Sequence, residues 1–480
     1  MAATTTSASP YIRHQAHGSS LWILTIIGMV GLAVALGLAI AYGDLNGFYV
    51  AVSVVAAIAV LFDFRIGAVL LVMLLPFGAT HFMPHGMLGV PGLNPLNVVI
   101  AATLGSFILR GGKLAGFAPA PLLWLYMIPI LLAGLNGMRH AHQIAPFFLE
   151  AENPPFTEAV SYMRDMVIRP LLIPVVALLV GAAAARSQKP ERFITAVIAS
   201  VWLIALFEIG FIAASGVRLG LLASPSSRRF FDEMGLHAND LGRLFAVAYA
   251  VLLFVWWEAK RPALKGWLFV TLGVASVAMV LTFSRGALFG FFVVNALFLV
   301  WKFNARLLGL ALLAAAVVAL LAPEYLWNRI TFGFDADANT VTADRLEGIW
   351  VPMLPELWKS PIWGNGIASI MWAPPVLAGT MDPVGHPHNA YLEAYLDMGA
   401  VGLALLLAYY VHVWRGFRVL GSNAYLSGEM RGFFQGATAG LICFLVTGGA
   451  GSSFRPEPEF AFLWLAIGMM YGVLARKPTT

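Results

Sequence analysis

Of the 480 residues, 60% are hydrophobic and only 11% charged, and the mean hydropathy is +0.82. No soluble enzyme core has this composition, and the apolar runs are continuous rather than alternating with period two, which excludes an outer-membrane barrel. The net charge of +5 would point to nucleic acid only in a soluble chain; here the charges sort by membrane side, and no nucleic-acid partner is expected.

The expected fold is an all-α polytopic integral membrane protein. A polar tail at 1–20 runs into an apolar stretch too long for a signal-peptide core, so a retained first span is expected at 21–42. Further apolar runs lie near 48–62, 66–80, 94–109, 119–136, 167–185, 193–214, 240–257, 266–283, 286–301, 306–322, 391–414, 432–450 and 459–474, which makes about fourteen spans. With the N-terminus inside, every short inner loop holds at least one Lys or Arg, and of the 24 acids only Asp63, Glu191, Glu258 and Glu429 share that side. This bias predicts that both termini lie on the cytoplasmic side. The single cysteine, Cys443, excludes a disulfide framework, a four-Cys zinc site and an iron–sulfur cluster.

The chain thus divides into a cytoplasmic tail (1–20), about seven N-terminal helices (21–235), helices around a Ser-Arg-Gly turn (236–322), a long outer loop (323–390) placed before the third-last helix, three C-terminal helices (391–474) and a cytoplasmic tail (475–480). The outer loop contains Trp327, Trp350, Trp358, Trp363 and Trp372 and is too aromatic for disorder. No internal repeat is found, and no paired Gly/Pro-broken spans of the kind that mark inverted-repeat transporters.

Polar residues that interrupt this pattern are the functional candidates. Glu208 sits mid-span, either as a functional carboxylate or as one hydrogen-bonded inside the bundle. His237, Asn239, Asp240 and Arg243 open a span from the outer side, where they line a substrate path or cap a helix. Ser284-Arg285-Gly286 links two spans at the outer face. An Arg at membrane depth costs ~2.5 to 3.5 kcal/mol on insertion scales, so Arg285 needs a partner, either lipid phosphate reached by snorkelling or an anionic ligand. Arg345 follows Asp344 in the outer loop, where it pairs on the surface with Asp344 or Glu347 or serves a ligand; Gly364-x-Gly366 downstream has no preceding strand and is not a nucleotide site.

His386-Pro387-His388-Asn389 runs directly into an apolar helix. Asn389, Glu393 and Asp397 recur at i, i+4 and i+8 as a polar stripe, and Gly399 and Gly402 permit close packing by a neighbouring helix. The same pattern fits an interfacial His with a capping Asn, or two metal ligands completed by Asp382 or by another loop.

In this combination the chain resembles the bacterial O-antigen ligase and Wzy-type polysaccharide-polymerase superfamily. Its hallmark, a His, then Asn, Ser or Gln, nine residues and Gly-x-x-Gly, is matched by His388, Asn389, Gly399 and Gly402; its Ser-Arg-Gly turn by Ser284-Arg285-Gly286; its loop Arg by Arg345 with Trp350 and Gly364-Asn365-Gly366. His237 to Arg243 is similar to a further feature, so the likeness spans about residues 235 to 415. The resemblance implies a periplasmic, inverting glycosyltransferase that moves a glycan from undecaprenyl diphosphate to an acceptor hydroxyl, without metal or cofactor. His388 would be the base, titrating near pH 6.5, and Arg285 and Arg345 would grip the diphosphate. Asn389, Glu393, His386, Ser284 and Asn239 would contact substrate, with His386 dispensable for the transfer itself.

A repeat-unit polymerase for O-antigen or exopolysaccharide is the leading expectation. The alternatives are a ligase acting on lipid A core or protein and, from another class, a lipid-linked oligosaccharide flippase. Expected partners are the lipid-linked donor, a glycan or lipid A core acceptor, the bilayer, a repeat-unit flippase and a chain-length regulator.

Overall fold

The computed structural model describes residues 46–84, 86–112, 117–149, 156, 158–332, 334, 337–451 and 453–476. The expected tail at 1–20, the expected first span at 21–42 and the last residues of the C-terminal tail lie outside the described residues.

The described chain is a helical bundle. In order come α1 (Asn46–Phe62), α2 (Phe64–Phe77), α3 (Pro95–Leu109), α4 (Ala120–Met138), α5 (Ala159–Ala185), α6 (Pro190–Ser215), α7 (Ala238–Glu258), α8 (Pro262–Leu281), α9 (Arg285–Trp301), α10 (Ala305–Leu321), α11 (Glu324–Thr331), α12 (Val351–Leu357), α13 (Ala390–Gly421), α14 (Gly428–Ala450) and α15 (Pro458–Leu474). Among the described residues seven of these, α4 to α8, α13 and α14, are long and apolar enough to cross a membrane, and α10 with α11, bent by 109°, would make up to eight. The expected count of about fourteen also drew on α1, α2, α3, α9 and α15, which are apolar but short at 10–17 residues. The chain is a multi-pass, helical membrane protein. Among the described residues its one sheet is a two-stranded antiparallel hairpin, β1 (Gly86–Met87) with β2 (Val90–Pro91).

Small residues set the tightest packing. Gly428, Gly432, Gly436 and Gly440 recur every fourth residue and form one stripe on α14. Against α7 this stripe leaves no room for side chains: a Cβ on Gly432 would come to 2.5 Å from the Phe254 carbonyl oxygen, and one on Gly436 to 2.5 Å from that of Ala250. On the other flank Gly468 and Gly472 of α15 bear on the backbone of Ala177 and Gly181 in α5. Lipid tails are as apolar as Leu, so close backbone approach rather than hydrophobic contrast holds such pairs together.

The polar stripe of α13 meets a different partner from the one its glycines predict. Gly399 takes φ 66° and ψ −172° and breaks the helix, and a Cβ there would run into the backbone of Ile362, not into a neighbouring helix. The outer loop satisfies the groups this break leaves open: Ala400 N donates to Pro361 O (2.8 Å), Asn365 N to Leu396 O (2.8 Å) and Gly366 N to Asp397 O (3.0 Å). Buried Asp397 accepts from Ala368 N (3.0 Å), Ser369 N (3.2 Å) and Ser369 Oγ (3.0 Å). Gly364 (φ 75°) and Gly366 (φ 102°) let this segment lie flat on α13 and α4. The Gly-Asn-Gly stretch is therefore a docking strip, and Gly402 faces only Met398 of its own helix.

Candidate functional site

Helix starts bring the sequence motifs to one end of the bundle. His237 caps α7, its Nδ1 accepting from Asn239 N at 3.2 Å. Ser284 caps α9, its Oγ accepting from Ala287 N at 3.3 Å. Asn389 caps α13, its Oδ1 accepting from Tyr391 N (3.1 Å) and Leu392 N (3.2 Å). These caps meet orphan N–H groups that every helix start exposes, and they aim positive dipole ends at a common region. The starts of α7 and α9 touch directly, because Ser284 Oγ donates to Asn239 Oδ1 at 2.8 Å.

Arg345 enters from the outer loop. Ala343 (φ 58°) and Asp344 (φ 61°) adopt left-handed conformations just before it, and Arg345 Nη1 donates to Ala450 O at 2.9 Å. The bond crosses 105 residues of sequence. Beside it lies Gly451, where a Cβ would sit 3.3 Å from Arg345 Nη1 and 3.9 Å from His388 O. The guanidinium and the His388 backbone thus flank a position that only hydrogen occupies.

His388 has φ 54°, an unusual conformation for a branched-ring side chain that surrounding contacts must hold. One such contact is local: His386 Nδ1 accepts from His388 N at 3.2 Å, with the two rings 4.0 Å apart. Trp350 Nε1 adds a second by donating to Pro387 O at 2.8 Å. Burial, and then the cations around them, push both imidazoles below the usual 6.5. His386 falls to about 4, and His388, beside His386, Arg345, His237 and Arg243, to about 2. His388 is thus neutral well below the pH near 6.5 at which the sequence placed its titration.

Arg285 is turned to a different task. Its Nη1 donates to Phe332 O (2.8 Å) and its Nη2 to Val341 O (3.2 Å), with the guanidinium 5.8 Å from the Phe332 ring centroid. It grips the root of the segment that presents Arg345. Glu393 pairs with Arg455, Oε1 to Nη2 at 3.0 Å, and Arg455 also lies 3.9 Å from Glu457. Arg243 is buried between Glu459 (2.8 Å) and Asp240 (3.3 Å). Among the described residues no group of three or more His, Cys, Asp or Glu is placed to hold a metal ion.

The structure therefore gathers His386, His388, Arg345 and Asn389 together, joins Ser284 to Asn239 nearby, and sets Arg285 at the edge and Glu393 in an ion pair. Sequence reasoning missed Arg455, Glu457 and Glu459. Their signal was readable in Ser453-Phe454-Arg455-Pro456-Glu457-Pro458-Glu459, a charged, Pro-bearing turn between two spans on the same side as His388. The turn is held by Phe454, whose carbonyl accepts from Tyr126 Oη (2.6 Å) and Tyr410 Oη (3.1 Å).

Comparison with known families finds that residues 270–407 match the family model described as O-antigen ligase. The matched interval contains Ser284, Arg285, Arg345, His386, His388, Asn389, Glu393 and the Gly399/Gly402 pair, and leaves Asn239, Arg243 and Arg455 outside it. No curated protein matches the chain.

Proposed function

We propose that this chain, which carries an O-antigen ligase domain over residues 270–407, is a membrane glycosyltransferase. It takes a glycan from undecaprenyl diphosphate and transfers it, with inversion, to an acceptor hydroxyl on the periplasmic side of the inner membrane. The observation that carries this reading is the placement of Arg345 and a neutral His388 on either side of Gly451, among the starts of α7, α9 and α13.

The chemistry follows from that placement. The acceptor oxygen attacks the anomeric carbon from the face opposite the leaving group. The new C–O bond forms as the bond to the diphosphate breaks, and the diphosphate leaves with the electron pair. Charge grows on its oxygens, and a planar guanidinium meets them with two parallel N–H bonds, which places Arg345 first in this role. Arg285, with its donors on Phe332 and Val341, fixes the segment that carries Arg345 and is the second cation within the same region.

The acceptor proton goes to His388. A buried neutral imidazole is in the right form to take it but is a weak base beside so many cations. A bound diphosphate cancels that field and raises the basicity of the ring, so the base is strongest when donor is present. Arg455 with Glu393 and Arg243 with Glu459 hold α13, α7 and α15 in register around the centre. Asn389, Ser284, Asn239 and His386 remain proposed substrate contacts.

Neither metal nor nucleotide is required, because the lipid diphosphate supplies the driving force. A second repeat-unit glycan is the favoured acceptor in this proposal, and lipid A core, which would make the enzyme a ligase, is the other.

The experiment is transfer from purified undecaprenyl-diphosphate glycan in detergent, with chelator throughout, read as product length on a gel. Lipid-linked glycan and lipid A core are offered as separate acceptors. Wild-type product that disappears in His388→Ala supports the proposal; no product with either acceptor, or full product from His388→Ala, removes it.

A further inference from the structure

A cavity of about 480 Å³ with polar side chains in its wall shares no lining residue with the centre just described. Its walls come from three distant stretches of sequence: the end of α4 with the turn after it, α12 with the turn after it, and the strip that docks on α13. Asn136 Nδ2 donates to Gly364 O at 3.4 Å, and Asn365 Nδ2 to Glu356 O at 3.3 Å, so both amides are fixed. His140 Nδ1 and Gln143 Oε1 are 3.1 Å apart. The His140 ring lies nearly parallel to the buried Trp372 indole, at 18° and 6.1 Å between centroids. Glu356 is 7% exposed and is paired with Lys359 at 2.8 Å. None of these residues has a part in the transfer chemistry.

We propose that this cavity is a binding subsite for a stretch of substrate glycan remote from the reacting carbon. The inference rests on the glycosyl-transfer reading and names where the sugar chain is held. Fixed amides and a carboxylate offer acceptors and donors to neighbouring hydroxyls, and the half-buried His140 ring, backed by the Trp372 indole, offers a flat surface to a pyranose. Among the described residues the Lys or Arg in the wall is Lys359, which is balanced by Glu356, and this suits an oligosaccharide and not a phosphate. The volume is that of a small-molecule site, about 300 to 1,000 Å³.

Position supports the same occupant. Residues 346–357 run as one helical stretch from Arg345 to the cavity, and a rise of about 1.5 Å per residue puts Glu356 roughly 16 Å from Arg345. Trp350 on that stretch donates to Pro387 O, next to His388. The opposite wall is held by Ser369, bonded to Asp397 of α13. The cavity and the centre therefore sit on the same rigid pieces, separated by a distance that a short oligosaccharide spans.

The test uses full-length protein carrying His140→Ala, Gln143→Ala or both, all at partly or fully exposed side chains, with thermal unfolding checked against wild type. Lipid-linked donors of increasing glycan length are assayed against a fixed acceptor, and acceptors of increasing length against a fixed donor. The double variant should raise KM about tenfold for long glycan on one of the two substrates, by less for a single sugar, and alter kcat less than KM. The arm that responds identifies donor or acceptor as the occupant; unchanged KM on both arms in active enzyme overturns the subsite alone.

If wild type transfers nothing, the catalytic reading fails, and the cavity is judged by titration calorimetry with the oligosaccharide that mild acid releases from the cell's own lipid-linked glycan. Binding weakened about tenfold in the double variant upholds the subsite; no binding to wild type, or equal binding to the variant, overturns it.

Discussion

Replacing Arg345 by Lys separates geometry from charge at the centre of the proposed site. Arg345 Nη1 already donates to Ala450 O at 2.9 Å, so the guanidinium is held in a plane before substrate arrives. A Lys keeps the positive charge but has a single nitrogen, and it cannot bond that carbonyl and two diphosphate oxygens in one plane. Loss of one preorganised donor to a charge that grows in the transition state costs about 10² to 10³ in kcat. The assay is the detergent transfer reaction with chelator present, with kcat and KM measured separately and thermal unfolding recorded on the same preparation. Arg345→Lys is expected to unfold like wild type and to lose about two orders of magnitude in kcat. Arg285→Lys, which gives up two bonds to the Phe332 and Val341 carbonyls, is expected to lose thermal stability as well. If Arg345 only made a surface ion pair worth about 0 to 1 kcal/mol, Lys would cost at most about fivefold. Activity within that margin in Arg345→Lys would refute the clamp.

His388→Ala should bind donor nearly as wild type does while kcat falls by about 10² to 10⁴, and His386→Ala should fall less, since it removes the acceptor for the His388 N–H and not the base; equal losses would contradict the assignment. Both imidazoles are held below 6.5 in the folded protein, so the unfolded chain binds protons that the folded one refuses. Stability should be complete above about pH 6.5 and decline as pH falls from there toward about 4, which melting in detergent across that range will measure; a flat profile contradicts the burial of the two rings. Gly399→Ala forces a side chain into φ 66°, ψ −172° and into the Ile362 backbone, at a cost of about 1 to 3 kcal/mol for the conformation alone; a variant that melts like wild type would contradict the break. In a Cys443→Ser background, a cysteine at 345 should react with an impermeant thiol reagent without opening the inner membrane, and one in the loop after Glu258 only once it is opened; the reverse pattern inverts the topology.

Much of this molecule was legible before any coordinates. Continuous apolar runs dictate a helical membrane protein, because hydropathy acts locally. Asn389 marked a helix start, since capping leaves a residue-type signature, whereas Gly399 was read as a packing glycine and its left-handed break was not foreseen. The caps at His237, Ser284 and Asn389 follow from the same local rule.

What the sequence left undecided is which distant groups meet. Gly399 reads in sequence as a packing glycine for a neighbouring helix, and the docking of Pro361 to Gly366 makes it a break instead. Arg345 has acids beside it in sequence, and nothing there foretells the bond it makes to Ala450, 105 residues away. Glu393 sits one turn from Asn389 but is committed to Arg455, and Arg243 to Glu459, 216 residues distant. The polar cavity depends on Asn136 and Glu356, which no periodicity connects. Helix formation is written in short-range patterns of polarity and backbone preference, whereas partner choice among buried charges is settled by which helix faces can approach closely, and here glycine stripes on α14 and α15 decide that approach.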